Sequence, residues 1–242
     1  MKQETMIQAR KESQAPTTVL KFLLVCGILS SLFYVATDIL AAMRWEGYSY
    51  TNQAVSELSA IGAPTRPMIV PLFSVYNALV IAFSIGVWGA AGKKRSLCVA
   101  AIMLVVYAVV GQATLLFSPM HLRGSAMSAT DVGHIVLTAL EVLSIVLFIG
   151  FGSGVRGKGF RLYSIGTILV LMAAGAVVGA QAPQMTAQAA STPWAGILER
   201  VNIYSTMLWV LVLAVALLRA KKDYIPIEAG AQKGLPVRGL AR

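Results

Sequence analysis

The chain has 242 residues, of which 57% are hydrophobic and only 12% charged, with a formal net charge of +10. Its mean hydropathy is +0.73. A soluble domain carries about 25% charged residues, so this composition with repeated apolar runs of about 20 residues excludes a soluble domain. The positive charge does not point to nucleic acid either. The basic residues sit in short clusters at the ends of the apolar runs, the pattern of topology determinants and of contacts to anionic lipid. Period-two alternation is absent, so the spans are expected to be helices that satisfy their own backbones.

Residues 1–18 are polar and mixed in charge, and are expected to be disordered. The first apolar run, about 19–43, is longer than a secretory h-region and lacks a convincing cleavage site, so it is expected to stay as a helix. A polar segment, RWEGYSYTNQAVSELSAIGAPTRP (44–67), follows. Span two is expected at about 68–91, then the short basic loop GKKRS. Span three runs over about 97–118. The loop PMHLRGSAMSAT leads into span four, about 131–152, and SGVRGKGFR into span five, about 162–182. A second polar segment, PQMTAQAASTPWAG, precedes span six, about 197–218. The tail from residue 219 is basic and is expected to be unstructured. The expectation is thus an all-α bundle of six transmembrane helices over 19–218.

Six spans place both termini on one side. Sixteen of the twenty Lys and Arg residues fall on that side; Arg44, Arg66, Arg123 and Arg200 fall on the other. This bias predicts cytoplasmic termini in a cell membrane. Cys26 and Cys98 then lie near the cytoplasmic ends of their spans, where reduced packing residues are expected. Six of the ten acids, Asp38, Glu46, Glu57, Asp131, Glu141 and Glu199, lie in the outer loops or within helices. The polar chemistry therefore faces outward.

The densest polar stretch is residues 120–141, MHLRGSAMSATDVGHIVLTALE, which holds both histidines. At about 100° per residue, Asp131, His134, Thr138 and Glu141 fall within an arc of about 80°. Glu141 lies about 15 Å below Asp131, near mid-bilayer. Ionisable groups at that depth face a cavity or a partner rather than lipid. His121, Asp131 and His134 form a candidate zinc set, which could activate a water for hydrolysis. The alternative is an Asp–His pair that caps the helix. Glu141 has no Lys or Arg in the central part of any span to pair with. It is expected to be protonated, hydrated or reached by a basic side chain from above, as a proton-handling or ligand-binding acid or as a structural hydrogen-bonding group.

Elsewhere, Ser31, Tyr34 and Asp38 share a face of span one, and Asp38 could pair with Arg44. Asn77 and Gln112 sit within spans two and three, where an interhelical hydrogen bond is the ordinary role. Glu199, Asn202 and Thr206 share a face of span six. Arg200 could pair with a glutamate across the bundle or meet a lipid phosphate. Gly175 and Gly179 suit close helix packing. Trp45, Tyr48 and Tyr50 read as interfacial anchors. NQAVSELSAIG could form a short interfacial or re-entrant helix that Pro64 and Pro67 end, dipping Glu57 toward the span-four stripe, or be a plain surface loop.

TDILAAMRWEGYSYTNQAVSELSAIGAPTRP, then PMHLRG followed by D-x-x-H, then PWAGILERV, resemble a six-helix bacterial membrane family that is described as a domain of unknown function. The likeness runs over about 19–218. More distantly, VSELSAIGAPTRP is similar to the loop after span one in the superfamily of damage-regulated autophagy modulators and GPI-anchor remodelling factors, with Val55 where that group favours Ile. These resemblances imply a membrane setting and lipid-related business, and bring no established catalytic residues.

The expected function is therefore an outward-facing polar pocket that binds or processes a lipid headgroup or another amphiphile. Its lining is expected to be Asp38, Glu57, His121, Arg123, Asp131, His134, Glu141, Glu199 and Arg200. If the protein is an enzyme, hydrolysis or acyl transfer is expected, with His134 and His121 as base or metal ligands and Asp131 orienting them. The alternatives are a small proton-coupled transporter exchanging protons at Glu141 and Asp38, or a non-catalytic membrane partner or stability factor. Membrane lipids are the expected partners.

Overall fold

The computed structural model describes residues 2–186 and 192–222, with side chains described for 18–181 and 192–220. Among these residues six α-helices carry the fold: α1 Lys2–Arg44, α2 Arg66–Ala91, α3 Arg95–Phe117, α4 Ala129–Gly152, α5 Gly157–Thr186 and α6 Ala195–Lys222. Short 3-10 helices occupy Val55–Ser59 and Ser153–Val155. Every α-helix contains a segment long and apolar enough to cross a membrane, with mean hydropathy between 2.0 and 2.4. The protein is an all-α, multi-pass membrane protein. Its helices leave large apolar side chains outward, such as Leu162 at 70% and Leu169 at 64% exposure. Surface of that kind in a continuous belt is stable only against lipid.

The spans begin and end within a few residues of the positions expected from hydropathy. At the N-terminus the α1 backbone extends as helix from Lys2, ahead of the apolar span that begins at Thr18. The tail beyond residue 222 lies outside the described residues, as do residues 187–191 of the second polar segment.

Packing follows a broken ring. α1 packs on α2 and α6, α2 on α3, α3 on α4, and α5 on α6. Gly86 makes the α1–α2 approach possible, since a Cβ there would lie 2.9–3.0 Å from Leu23 and the Leu24 backbone. α4 and α5 meet only sparsely. After Asp131, the buried residues of α4 are Ser144, Phe148, Ile149 and Gly152, all in its second half.

The two ends of the bundle are closed by different chemistry. Toward the end that carries the chain termini, Phe148 and Phe160 flank fully buried Trp209 at centroid distances of 5.6 and 5.7 Å. The Trp209 indole N–H donates to Ser164 Oγ at 2.9 Å, which satisfies the one polar atom in that plug. At the opposite end, the segments 45–65 and 118–128 form a polar collar. They join through a parallel bridge between Ile61 and His121, in which Ile61 N donates to the Met120 carbonyl at 2.8 Å. Beyond the bridge, residues 124–127 form an exposed tip.

Candidate functional site

The collar begins with α1 and α6. Asp38 is fully buried and Arg200 is 3% exposed. Arg200 donates from Nε to Asp38 Oδ2 and from Nη2 to Asp38 Oδ1, each at 2.8 Å. Its remaining hydrogens reach Tyr48 Oη at 3.0 Å and the carbonyls of Tyr50 and Gly196 at 2.8 and 3.2 Å. All five guanidinium donors are thereby used. The Tyr50 ring stacks on the guanidinium, 3.5 Å from Cζ to centroid, and Tyr204 Oη donates to Asp38 Oδ2 at 2.5 Å. Burial holds the Tyr48 phenol above the ordinary tyrosine value, with the hydrogen bond from Arg200 pulling the other way.

This arrangement corrects two expectations. Asp38 pairs with Arg200 rather than Arg44, because the α1–α6 contact brings them face to face. Arg200 has no donor left for a lipid phosphate. Ser31, on the face it shares with Asp38, likewise bonds α6, lying 2.9 Å from the Met207 carbonyl.

The segment after Tyr50 turns into the bundle as a 3-10 helix, Val55–Ser59, with Val55 and Leu58 buried. It ends well before Pro64, so the prolines do not terminate it. Glu57 is fully buried and meets Arg123 instead of the span-four stripe. Arg123 donates from Nε to Oε2 at 2.7 Å and from Nη2 to Oε1 at 2.6 Å. Glu57 also accepts from Ala54 N at 2.8 Å and from Gln53 Nε2 at 3.3 Å. Glu199 on α6 accepts from Val55 N, at the start of the same short helix. The carboxylate suits that end, where unpaired N–H groups concentrate.

The histidines divide between two places. Ser128 caps α4 and Asp131 completes a capping box with it. Asp131 accepts from His121 N at 2.7 Å, Ser128 N at 2.8 Å and Ser128 Oγ at 2.6 Å, and lies 3.0 Å from His121 Nδ1. Serine and aspartate both address Nδ1 of His121, with Ser128 Oγ at 3.2 Å. A nucleophilic triad needs them on opposite ring nitrogens, so this cluster is a cap and a loop latch. His134 turns Nδ1 to the Ser118 carbonyl at 3.1 Å. His121, Asp131 and His134 therefore do not converge as a zinc set. Among the described residues, no group of three or more His, Cys, Asp or Glu is placed to hold a metal ion.

Glu141 stands apart. It is the thirteenth residue of the 24-residue α4 and is partly exposed at mid-helix. Thr114 Oγ1 lies 2.7 Å from its Oε1 and 2.9 Å from the Val110 carbonyl, so one hydroxyl hydrogen serves one of the two. Oε2 has no hydrogen-bond partner among the described residues, and no Lys or Arg there pairs with Glu141. Beside it runs a polar relay: Asn77 Nδ2 donates to Gln112 Oε1 and Gln112 Nε2 to Ser74 Oγ, each at 3.0 Å. Tyr76 and Tyr107 share a hydrogen bond of 3.0 Å nearby.

The expected pocket residues thus do gather toward one half of the bundle, but not around one shared recess. Asp38–Arg200, Glu57–Arg123, Glu199–Val55, His121–Asp131 and His134–Ser118 each close on themselves. Glu141 keeps Oε2 without a hydrogen-bond partner among the described residues. Sequence reasoning missed Tyr204, Ser128, Ser118, Thr114 and Gly111. Tyr204 carried a signal, one turn beyond Arg200. Thr114 and Gly111 carried none, since only the α3–α4 contact gives them a role. Gly175 does pack against α6, 3.3 Å from Asn202 to an ideal Cβ, whereas Gly179 faces open space.

Residues 28–216 match the family model described as "Protein of unknown function (DUF998)". The chain belongs to this family. No curated protein and no solved structure matches it. For this DUF998 member the order of motifs along the chain follows the fold: the first stretch builds the collar, PMHLRG and D-x-x-H latch it to α4, and PWAGILERV delivers Arg200.

Proposed function

We propose that the protein binds a membrane amphiphile whose polar group reaches Glu141 through the seam between α4 and α5. The observation that carries this reading is the carboxyl oxygen of Glu141 left without a donor at mid-span, while Asp38, Glu57 and Asp131 are bound by arginine, backbone or hydroxyl donors. An ionisable group held at that depth without a cation costs stability, and such groups mark ligand or ion pathways. The sparse α4–α5 contact supports entry from the side. The collar works as a fixed roof: its buried ion pairs hold three helices and two loops in register.

The setting is the cell membrane with both termini cytoplasmic, supported by sixteen of the twenty Lys and Arg residues lying toward one side. In that orientation the collar faces outward. Hydrolysis has no support from the histidines, whose Nδ1 atoms are turned to Asp131, Ser128 and the Ser118 carbonyl in two separate places. A proton-coupled carrier is a second reading, favoured by Glu141 alone.

Native mass spectrometry of protein extracted directly from membranes tests the proposal. An amphiphile retained by the wild type and lost from Glu141→Gln, with folding unchanged, is the expected result. Equal retention by both would refute it. Loss of proton-dependent uptake without any bound amphiphile would favour the carrier.

A further inference from the structure

We infer that the polar group received at Glu141 is a hydrogen-bond-donating cation, a primary ammonium, seated beside Gly111 on α3. The inference rests on the amphiphile reading above and adds the chemistry of the ligand.

Gly111 has no side chain, and the space where one would begin is bordered by acceptors. An ideal Cβ there would lie 3.5 Å from Asn77 Oδ1 and 3.7 Å from Glu141 Oε2. Neither oxygen has a donor among the described residues, and neither is sealed off. Two acceptors from two different helices therefore border one small space.

The orientation of Asn77 follows from its neighbours. Ser74 Oγ donates to the Val70 carbonyl at 2.9 Å, which leaves its lone pairs for Gln112 Nε2. Gln112 then presents Oε1 to Asn77 Nδ2. The relay runs one way, and its open end is an acceptor. A ligand that supplies only acceptors, such as a carboxylate or a phosphate, finds no donor at this place. A ligand that supplies donors satisfies both oxygens, and a positive charge on it balances Glu141 in a low-dielectric surrounding.

Size and access agree with this. Gly111 and Glu141 are partly exposed, while Asn77 is 6% exposed. The site thus has an open side and a closed back, as a single ammonium on an acyl chain requires.

The experiment uses the full chain in zwitterionic nanodiscs with tritiated hexadecylamine at neutral pH. Unlabelled hexadecylamine, hexadecyltrimethylammonium, hexadecanol and hexadecanoate serve as competitors. Expected is saturable binding displaced by the amine about tenfold or more better than by the other three, since hydrogen bonds to charged groups are worth that much. Glu141→Gln and Gly111→Ala should each remove it. The alanine methyl meets only ordinary contact distances, so Gly111→Ala should keep the wild-type melting temperature. Equal competition by hexadecanol or by the quaternary ammonium, still dependent on Glu141, would overturn the ammonium assignment and leave the amphiphile reading standing. Absence of any saturable, Glu141-dependent binding would overturn both.

Discussion

Arg200 and Asp38 lie 162 positions apart in sequence and meet through two parallel hydrogen bonds of 2.8 Å in a place almost closed to solvent. A planar fork on a carboxylate fixes angle as well as distance. Because every other guanidinium hydrogen is also bound, the pair sets how α6 leans on α1 and where the Tyr48–Tyr50 turn sits.

Removing one partner is therefore expected to be costly. Arg200→Ala or Asp38→Asn should destabilise the protein by about 3–5 kcal/mol, the usual cost of stranding a buried charge. Arg200→Lys should not rescue it, since an ammonium cannot reproduce the fork. Thermal unfolding in detergent, followed by tryptophan fluorescence, checks this.

Glu57 and Arg123 form the second fork, with Arg123 22% exposed on its side chain. The solvent-facing partner makes it weaker than the first. Arg123→Ala should leave the six helices intact but speed amide exchange in 53–61 and 118–123, which the fork and the Ile61–His121 bridge hold together. Hydrogen–deuterium exchange with peptide resolution reads that out. Unchanged exchange in both segments would show that the backbone bridge suffices alone.

Gly196 lies under the first collar segment, and a Cβ there would collide with the Gln53 and Tyr50 carbonyls. These are backbone atoms in a braced turn, so the clash has no cheap relief. Gly196→Ala should lower the melting temperature despite improving helix propensity. A gain in stability would mean that the turn can slide.

Tyr48 gives a pH dependence. Burial favours its neutral phenol in the folded state, so its pKa is raised on folding. Such a group contributes fully below the unfolded value of about 10, and its contribution is lost as pH rises toward the folded value. Stability should therefore fall from roughly pH 10 upward, and Tyr48→Phe should flatten that slope. Melting temperatures from pH 8 to 11 provide the measurement.

Much of the fold was legible because hydropathy is a one-dimensional property. Spans can be read one at a time, and their ends came out within a few residues. The gathering of Asp38, Glu57, Arg123, Asp131, Glu199 and Arg200 toward one end was legible for the same reason: charge in an apolar chain is rare enough to be noticed. Which acid meets which base was not, because the answer lies in helix neighbours. Arg44 is near Asp38 in sequence, but α6 is nearer in space. Glu141 was visible as an anomaly, whereas its surroundings were not. Thr114 and Gly111 matter only because α3 lies against α4, and nothing in either residue's sequence neighbourhood says so.

The exposed turn at 124–127 lies just past the backbone bridge and outside every ion pair of the collar. An epitope inserted there would leave the Asp38–Arg200 and Glu57–Arg123 forks untouched, whereas the same insertion at 52–60 would displace Glu57 from Arg123. That makes 124–127 the place from which antibody access on intact cells can report which way the molecule is threaded.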